Sequence, residues 1–218
     1  MLRSFQRAGW LVFLAGLAYA QADEPATVIF TLDFPGSQPE HYSVQVQSGG
    51  KARYESSGKV APDSEKTDSF SCPFTVSSAT SQRIFVLAAK ANYFRKDLDS
   101  HHKNLAFTGK KTLAYKDAQR SGESSYNYSP DPAVQEMTSL FEGLSATLEF
   151  GHRLDYDHRY QKLALDEELK RLEEEVRSGL VVELPAIEAI LRQIVDDASV
   201  INVTRARAQR ILEQAGVR

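Results

Sequence analysis

The chain has 218 residues, of which 42% are hydrophobic and 25% charged, with 26 Lys and Arg against 29 Asp and Glu. These fractions are ordinary for a globular protein, and they exclude a disordered chain, a collagen-like repeat and a disulfide scaffold. The formal net charge of −3 excludes the strongly basic surface that non-specific nucleic-acid binding requires, so we expect no nucleic-acid partner.

The first twenty residues, MLRSFQRAGWLVFLAGLAYA, have the three parts of a secretory signal peptide in order. Arg3 and Arg7 supply the positive start, residues 10–17 the apolar segment, and residues 18–20 an A-x-A cleavage site. The apolar segment is shorter than the roughly 20 residues that span a bilayer. We therefore predict cleavage near Ala20, a secreted or periplasmic mature protein, and no transmembrane segment.

Removal of this segment changes the charge and the setting of the one cysteine. The segment contains Arg3, Arg7 and no acidic residue, so the formal charge falls from −3 to −5. Cys72 then stands in an oxidising compartment without a partner for an internal disulfide, so stability must come from the core. The alternating sequence around Cys72 favours a buried thiol over an intermolecular bond.

Strands are predicted after a short polar leader at residues 21–26. Period-two alternation is clearest in YSVQVQ at 42–47, where every second residue is apolar. The segment TVIFTLDF at 27–34 is rich in β-branched and aromatic residues. A fragment at 108–111, Thr-Gly-Lys-Lys, predicts a hairpin turn. The predicted strands lie at 27–34, 42–47, 51–56, 69–76, 105–107, 112–115 and 124–128.

Helices are predicted where apolar residues recur every three or four positions. The first such stripe runs from Ile84 to Leu98. Asp131 and Pro132 suit the N-cap and the first turn of a helix that runs to residue 150, with Gly151 as its stop. Apolar seams then predict two or three amphipathic helices within 155–216.

These elements predict an α+β fold in two parts. A small antiparallel β-rich domain with a packed helix occupies residues 27–150. A C-terminal amphipathic helical region follows at 151–218, and self-association through these helices is left open. An exposed apolar stripe at 184–195 would imply a partner.

Two groups of His and Asp are candidates for chemistry. His101 and His102 lie in a predicted loop with Asp97 and Asp99 nearby, which is either a metal site or a solvated loop. His152, Asp155, Asp157 and His158 have helical spacing, so they form either a ridge for a weakly bound cation or a polar face. The sequence has no Gly-x-Ser-x-Gly, P-loop or His-Glu-x-x-His motif. We therefore predict no cofactor, and a binding protein rather than an enzyme.

An interaction surface is predicted at five residues. Tyr126 and Tyr128 would share one face of a short strand and contact a partner, or else belong to an aromatic core layer. Arg205, Arg207 and Arg210 make the chain end basic, after an acidic segment at 166–175. This charge separation predicts pairing within the chain or between subunits, with an anionic partner as the alternative.

Residues 27–150 resemble the small secreted inhibitor domains of the emfourin type, which are associated with thermolysin-like metalloproteases. The resemblance lies in the order of elements, the Gly49-Gly50 turn, Asn92-Tyr93-Phe94 at the end of a helix stripe, and Tyr126-Asn127-Tyr128 before the last helix. No inhibitory motif carries over residue by residue, and the region after Gly151 has no counterpart in that domain.

The sequence therefore predicts an exported, non-enzymatic binding protein whose partner is a protein. A secreted protease inhibitor is the alternative that the resemblance implies. A hydrolase with dispersed carboxylate and His residues is the second alternative.

Overall fold

The computed structural model describes residues 24–59 and 66–216. The predicted signal peptide, its cleavage site and the first half of the leader, residues 21–23, lie outside these residues. Among the described helices, none has both the length and the apolar character that crossing a membrane requires.

Six antiparallel strands form one sheet in the order β4-β3-β2-β1-β5-β6. Alternation decides which face of the sheet is buried, since in β2 Tyr42, Val44 and Val46 are buried while the intervening polar residues are not. The α+β fold with an antiparallel sheet is confirmed. The strands are β1 (Thr27–Asp33), β2 (His41–Gln47), β3 (Lys51–Lys59), β4 (Thr67–Thr75), β5 (Lys110–Lys116) and β6 (Ser121–Tyr126).

Five α-helices are present in the described residues, and the predicted C-terminal helical region is confirmed. Ser77 caps the first helix by accepting from the Thr80 amide, and Asp131 caps the second by accepting from the Ala133 amide. The helices are α1 (Ser78–Lys90), α2 (Pro132–Tyr160), α3 (Leu165–Ser178), α4 (Glu188–Asp196) and α5 (Asn202–Gln214), with 3₁₀ turns at Asn92–Phe94 and Leu184–Ile187.

The predicted hairpin at 105–115 is wrong. Residues 105–107 are not a strand, and β5 pairs instead with β1 and with β6. The turn between β5 and β6 is built by Asp117, whose carboxylate accepts from the amides of Gln119 and Arg120. The sequence of β6, SGESSY, has almost no apolar alternation, which is why the strand predicted at 124–128 begins three residues too late and ends two residues too late.

The predicted stop of α2 at Gly151 is also wrong, because the helix continues to Tyr160. Gly151 serves packing instead. A Cβ atom at this position would lie 2.5 Å from Cγ2 of Ile187, so the missing side chain lets the 3₁₀ turn approach the helix. A glycine inside a helix costs roughly 0.5–1 kcal/mol relative to alanine, and here that cost permits a close contact.

Two clusters of buried side chains form the core, and α2 belongs to both. The first lies between the sheet, α1 and the first part of α2, where Phe30 and Phe141 stack with ring centroids 5.2 Å apart. The second lies among α3, α4, α5 and the later part of α2, from Phe150 onward. The apolar stripe of α4 is buried in this second cluster, so it does not by itself require a partner.

The acidic and basic segments of the C-terminal region pair within the chain. Glu173 is buried, and its carboxylate lies 2.9 Å from Arg207, 3.3 Å from Arg210 and 3.2 Å from Arg177. Arg207 also lies 3.3 Å from Asp166. Although burial opposes it, hydrogen bonds from Arg210 and Arg207 hold the pKa of Glu173 below its ordinary value. Charge pairing within the chain therefore holds α5 against α3.

Truncation of Leu191 tests the second cluster. Leu191 is fully buried, so we expect Leu191→Ala to lower the free energy of unfolding by about 2–5 kcal/mol through lost burial and a new cavity. Leu163 is 91% exposed, and Leu163→Ala should change it by less than about 0.5 kcal/mol. Urea denaturation followed by circular dichroism measures both, and equal effects would contradict this packing.

Candidate functional site

The two edge strands of the sheet, β6 and β4, have different surroundings. The carbonyl oxygen of Tyr93 approaches β6 so closely that a Cβ atom on Gly122 would lie 2.2 Å from it. The amide of Leu98 also donates to Oγ of Ser124, at 3.1 Å. Because side chains alternate along a strand, Gly122 and Ser124 share the face of the buried Tyr126, so residues 93–98 pack on the core face of β6. At the other end, β4 pairs with β3 alone among the described strands, and we call its outer side the open edge.

A groove of about 300 Å³ runs between the open edge and the helical region. Alternate side chains of β4, those of Phe70, Cys72 and Phe74, line one wall and are half-buried. Helix α2 supplies the floor, and the turn and helix after residue 184 supply the opposite wall. We call this the edge groove. Its other apolar residues are Pro73, Leu148, Gly151, Ala186, Ile187, Ala189 and Ile190, and its polar residues are His152, Asp155, Arg159 and Gln193.

A second cavity of about 200 Å³, the polar cleft, adjoins the edge groove, and Phe70 and His152 line both. The His152 ring stacks on Phe70 with centroids 4.2 Å apart and planes 17° apart. Nε2 of His152 lies 3.2 Å from Oδ2 of Asp68, so α2 and β4 are joined at this point. Polar lining residues of the cleft include Ser56, Lys59, Asp68, Glu149 and His152.

Glu149 is fixed at the wall of the polar cleft by two hydroxyl groups. Its Oε1 accepts from the Tyr54 hydroxyl at 2.8 Å and from the Ser56 hydroxyl at 2.7 Å. Tyr54 is held in turn by Ser145, 2.9 Å away. Burial and then the charge of Glu149 raise the pKa of Tyr54 above its ordinary value, so this hydroxyl stays a donor at any physiological pH. The carboxylate is thus held in one orientation.

The chemistry of these cavities suits binding better than nucleophilic catalysis. A nucleophile needs a lowered pKa or an adjacent base. Burial, with a smaller effect of Glu149, raises the pKa of the Cys72 thiol to about 11, and no hydrogen bond joins Cys72 to His152 in the described residues. Ser56 directs its hydrogen to Glu149 rather than to a histidine.

The first predicted His and Asp group lies in an exposed loop. His101 pairs with Asp97, with Nε2 2.6 Å from the carboxylate oxygen. The two oxygens of Asp99 accept from the amides of His101 and Asn127, so its carboxylate holds the loop. His102 contributes only its amide, which donates to Ser100.

The predicted ridge on α2 is divided among other partners. His152 pairs with Asp68, Asp155 with Arg159 at 2.8 Å, and His158 with Asp197 at 2.9 Å. Within the two described ranges, no three His, Cys, Asp or Glu side chains are grouped to hold a metal ion. The two histidines connect α2 to β4 and to the residue after α4, whereas the Asp155–Arg159 pair lies within α2.

The predicted interaction residues occupy different settings. Tyr126 is the last residue of β6 and is buried, with its hydroxyl 2.6 Å from Oγ1 of Thr138, so it is part of the core rather than a surface. Tyr128 lies beyond the strand and is 43% exposed, so the predicted shared strand face is wrong. Arg207 and Arg210 bind Glu173.

Arg205 donates to Asn202 within its own helix, while its Nε is buried without a hydrogen bond in the described chain. None of the five predicted residues lines the edge groove or the polar cleft.

Sequence reasoning missed Glu149, Ser56 and the edge groove itself. One signal was present, since Phe70, Cys72 and Phe74 alternate beside Pro73, and a proline inside a strand indicates a sheet edge. Comparison with known proteins finds no matching family model and no curated protein of similar sequence. A function must therefore be inferred from the surfaces of the protein itself.

Titration of His101 tests the loop geometry. A hydrogen bond to Asp97 raises the pKa of His101 above its ordinary value. We expect Asp97→Asn to lower that pKa toward about 6.5, the value of a free histidine. The pairing stabilises the fold fully below about pH 6.5 and is lost as the pH rises through the raised pKa. NMR titration of the His101 ring protons measures this, and an unchanged pKa in the variant would contradict the pairing.

Alkylation of Cys72 tests the environment of the edge groove. A thiol pKa near 11, against about 8.5 for a free cysteine, leaves more than about a hundredfold less thiolate at neutral pH. We expect iodoacetamide to react at least about a hundredfold more slowly with the folded protein than with the same chain in guanidinium chloride. Equal rates in the two states would show that the thiol is neither buried nor perturbed.

Proposed function

We propose that this is an exported binding protein that holds an extended segment of a partner protein along the open edge of β4. The observation that carries the proposal is an edge strand directly beside a largely apolar groove, because β4 pairs with β3 alone among the described strands and lines that groove. In strand addition, backbone hydrogen bonds to a sheet edge supply affinity, and pockets for alternate side chains supply specificity.

The backbone of β4 supports this mode of binding. Pro73 lies in register opposite Arg53, and because it has no N–H it can occupy a strand only where its nitrogen faces away from the neighbour. Backbone groups alternate in direction along a strand, so those of Ser69 and Ser71 also face the open edge. Both serines are therefore placed to pair with an added strand.

The edge groove supports an apolar, extended occupant. Its volume of about 300 Å³ is at the lower end of the range for small-molecule sites, which is roughly 300–1,000 Å³. It is long rather than deep, because Phe70, Cys72 and Phe74 stand along one wall at every second residue. Side chains that project alternately from an added strand would enter it.

Export follows from the first twenty residues and is part of the proposal, so the partner is expected outside the cytoplasm. Secretion of a tagged full-length chain, with cleavage located by N-terminal sequencing, tests this part separately.

The protease-inhibitor hypothesis stays a prediction. A panel of secreted metalloproteases, assayed with and without the purified protein, tests it.

Selection from a phage-displayed library of nine-residue peptides, matching the nine residues of β4, tests the binding mode. We expect selected peptides to have apolar residues at alternate positions and to slow the alkylation of Cys72, which they would cover. Ala189 is exposed in the groove wall, and Ala206 is exposed on α5. Ala189→Trp should reduce peptide affinity about tenfold or more by filling the groove, whereas Ala206→Trp should not.

The backbone contribution is tested by Ser71→Pro, which removes one N–H from the open edge without removing a bond to β3. Loss of one hydrogen bond should weaken binding by about threefold to tenfold.

A selected peptide that binds Ala189→Trp and the unmodified protein equally well would show that the edge groove is not its site.

A further inference from the structure

Glu149 lies at the end of the proposed binding surface, and among the described residues it has no cationic partner. Both of its hydrogen bonds end on Oε1, and its other oxygen accepts none from the described residues. Arg153, one helical turn away, donates to Glu168 instead. His152, also nearby on α2, pairs with Asp68.

The negative charge of Glu149 also acts on Cys72, a residue of the edge groove. After burial, Glu149 is the largest cause of the raised pKa of the Cys72 thiol, and Cys72 lies in the middle of the groove wall. A half-buried carboxylate favours a cation nearby, because charge-assisted hydrogen bonds are about twice as strong as neutral ones. Neither α2 nor β3 places a cationic side chain at hydrogen-bonding distance from Glu149.

We propose that Glu149 and the polar cleft form a subsite for a cationic side chain, Lys or Arg, of the segment bound along β4. This rests on the proposed function and specifies its ligand. The cleft volume of about 200 Å³ is below the range of whole small-molecule ligands, and it suits one side chain. The Tyr54 and Ser56 hydroxyls fix one carboxylate oxygen and leave the other for the incoming donor.

The position of the subsite also predicts where the cation stands in the bound segment. The cleft adjoins Asp68, near the start of β4, while Phe74 lies near its end. A segment added antiparallel to β4 therefore carries its Lys or Arg after the apolar residues, and one added in parallel carries it before them. The order found in bound peptides thus reports their direction.

Two cations line this cleft, Arg153 and Lys59. Because Arg153 donates to Glu168, Lys59 is the competing cation. It is exposed at the rim of the cleft and has no ion pair with another described residue. An exposed lysine is mobile and well hydrated, so we place it as a rim charge that a bound cation displaces outward. Lys59→Gln should therefore leave the preference for cationic peptides intact or strengthen it.

The library selection is repeated with Glu149→Gln and, as a matched control, with Glu123→Gln. Glu123 is exposed on β6, at the far end of the sheet. We expect the unmodified protein and Glu123→Gln to enrich Lys or Arg at one end of the apolar pattern. Glu149→Gln should keep the apolar pattern, since glutamine still accepts from Tyr54 and Ser56, but lose the cationic enrichment.

A peptide exchange at the selected position completes the test without altering the fold. Replacing the peptide's Lys or Arg by glutamine should weaken binding to the unmodified protein by about tenfold. The same replacement should have little effect on binding to Glu149→Gln, because the two changes remove one interaction.

The outcomes separate the two proposals. Apolar peptides selected without a cationic preference, or a preference that survives in Glu149→Gln, overturn the subsite and leave strand addition in place. If the unmodified protein enriches no peptide above the Ala189→Trp variant, strand addition fails and the subsite fails with it.

Discussion

The packing of helix α2 into both buried clusters is the interaction on which the rest of the structure depends. The 29 residues of α2 pack first against the sheet and then into the helical cluster, without a break at the glycine between the two. An α-helix of this length spans roughly 45 Å at 1.5 Å per residue. Helices of that length gain most of their stability from packing, and α2 has an apolar face for each cluster. The β-rich part and the helical part are therefore connected by a rigid element rather than by a linker.

The edge groove follows from this arrangement. Because α2 passes β4 before it enters the helical cluster, its middle section forms a floor between the last strand and the turn that contains Ile187. Gly151 lets that turn approach α2 closely. The small side chains of Ala186 and Ala189 leave the groove open on the opposite wall. The polar cleft is the continuation of the same space toward Glu149, where the helix turns a carboxylate toward β3.

Local pattern predicts most of the elements but not their arrangement. Alternation was sufficient to predict β2, and Asp131-Pro132 was sufficient to predict the start of α2. Both signals arise from the segment itself. The bounds of β6 depend on its neighbours, since three of its six residues are serine and only Tyr126 is a large apolar residue. Gly151 was interpreted as a stop because its packing role depends on Ile187, 36 positions later in the numbering.

The candidate site was beyond prediction for the same reason. Glu149 occupies one helical position among many acidic ones, and only its contacts with Tyr54 and Ser56 distinguish it. The arginines at the chain end were predicted either to pair internally or to meet an anion. Their contacts with the buried Glu173 settle Arg207 and Arg210 as structural, whereas β4 pairs with β3 alone among the described strands.

The unequal finish of the two sheet edges has a consequence for stoichiometry. A sheet open at both sides can add strands from both directions and grow into a filament. Here residues 93–98 contact the core face of β6, whereas β4 has the edge groove beside it. A strand added at β4 fills that edge and its groove together, so each chain holds one partner segment there.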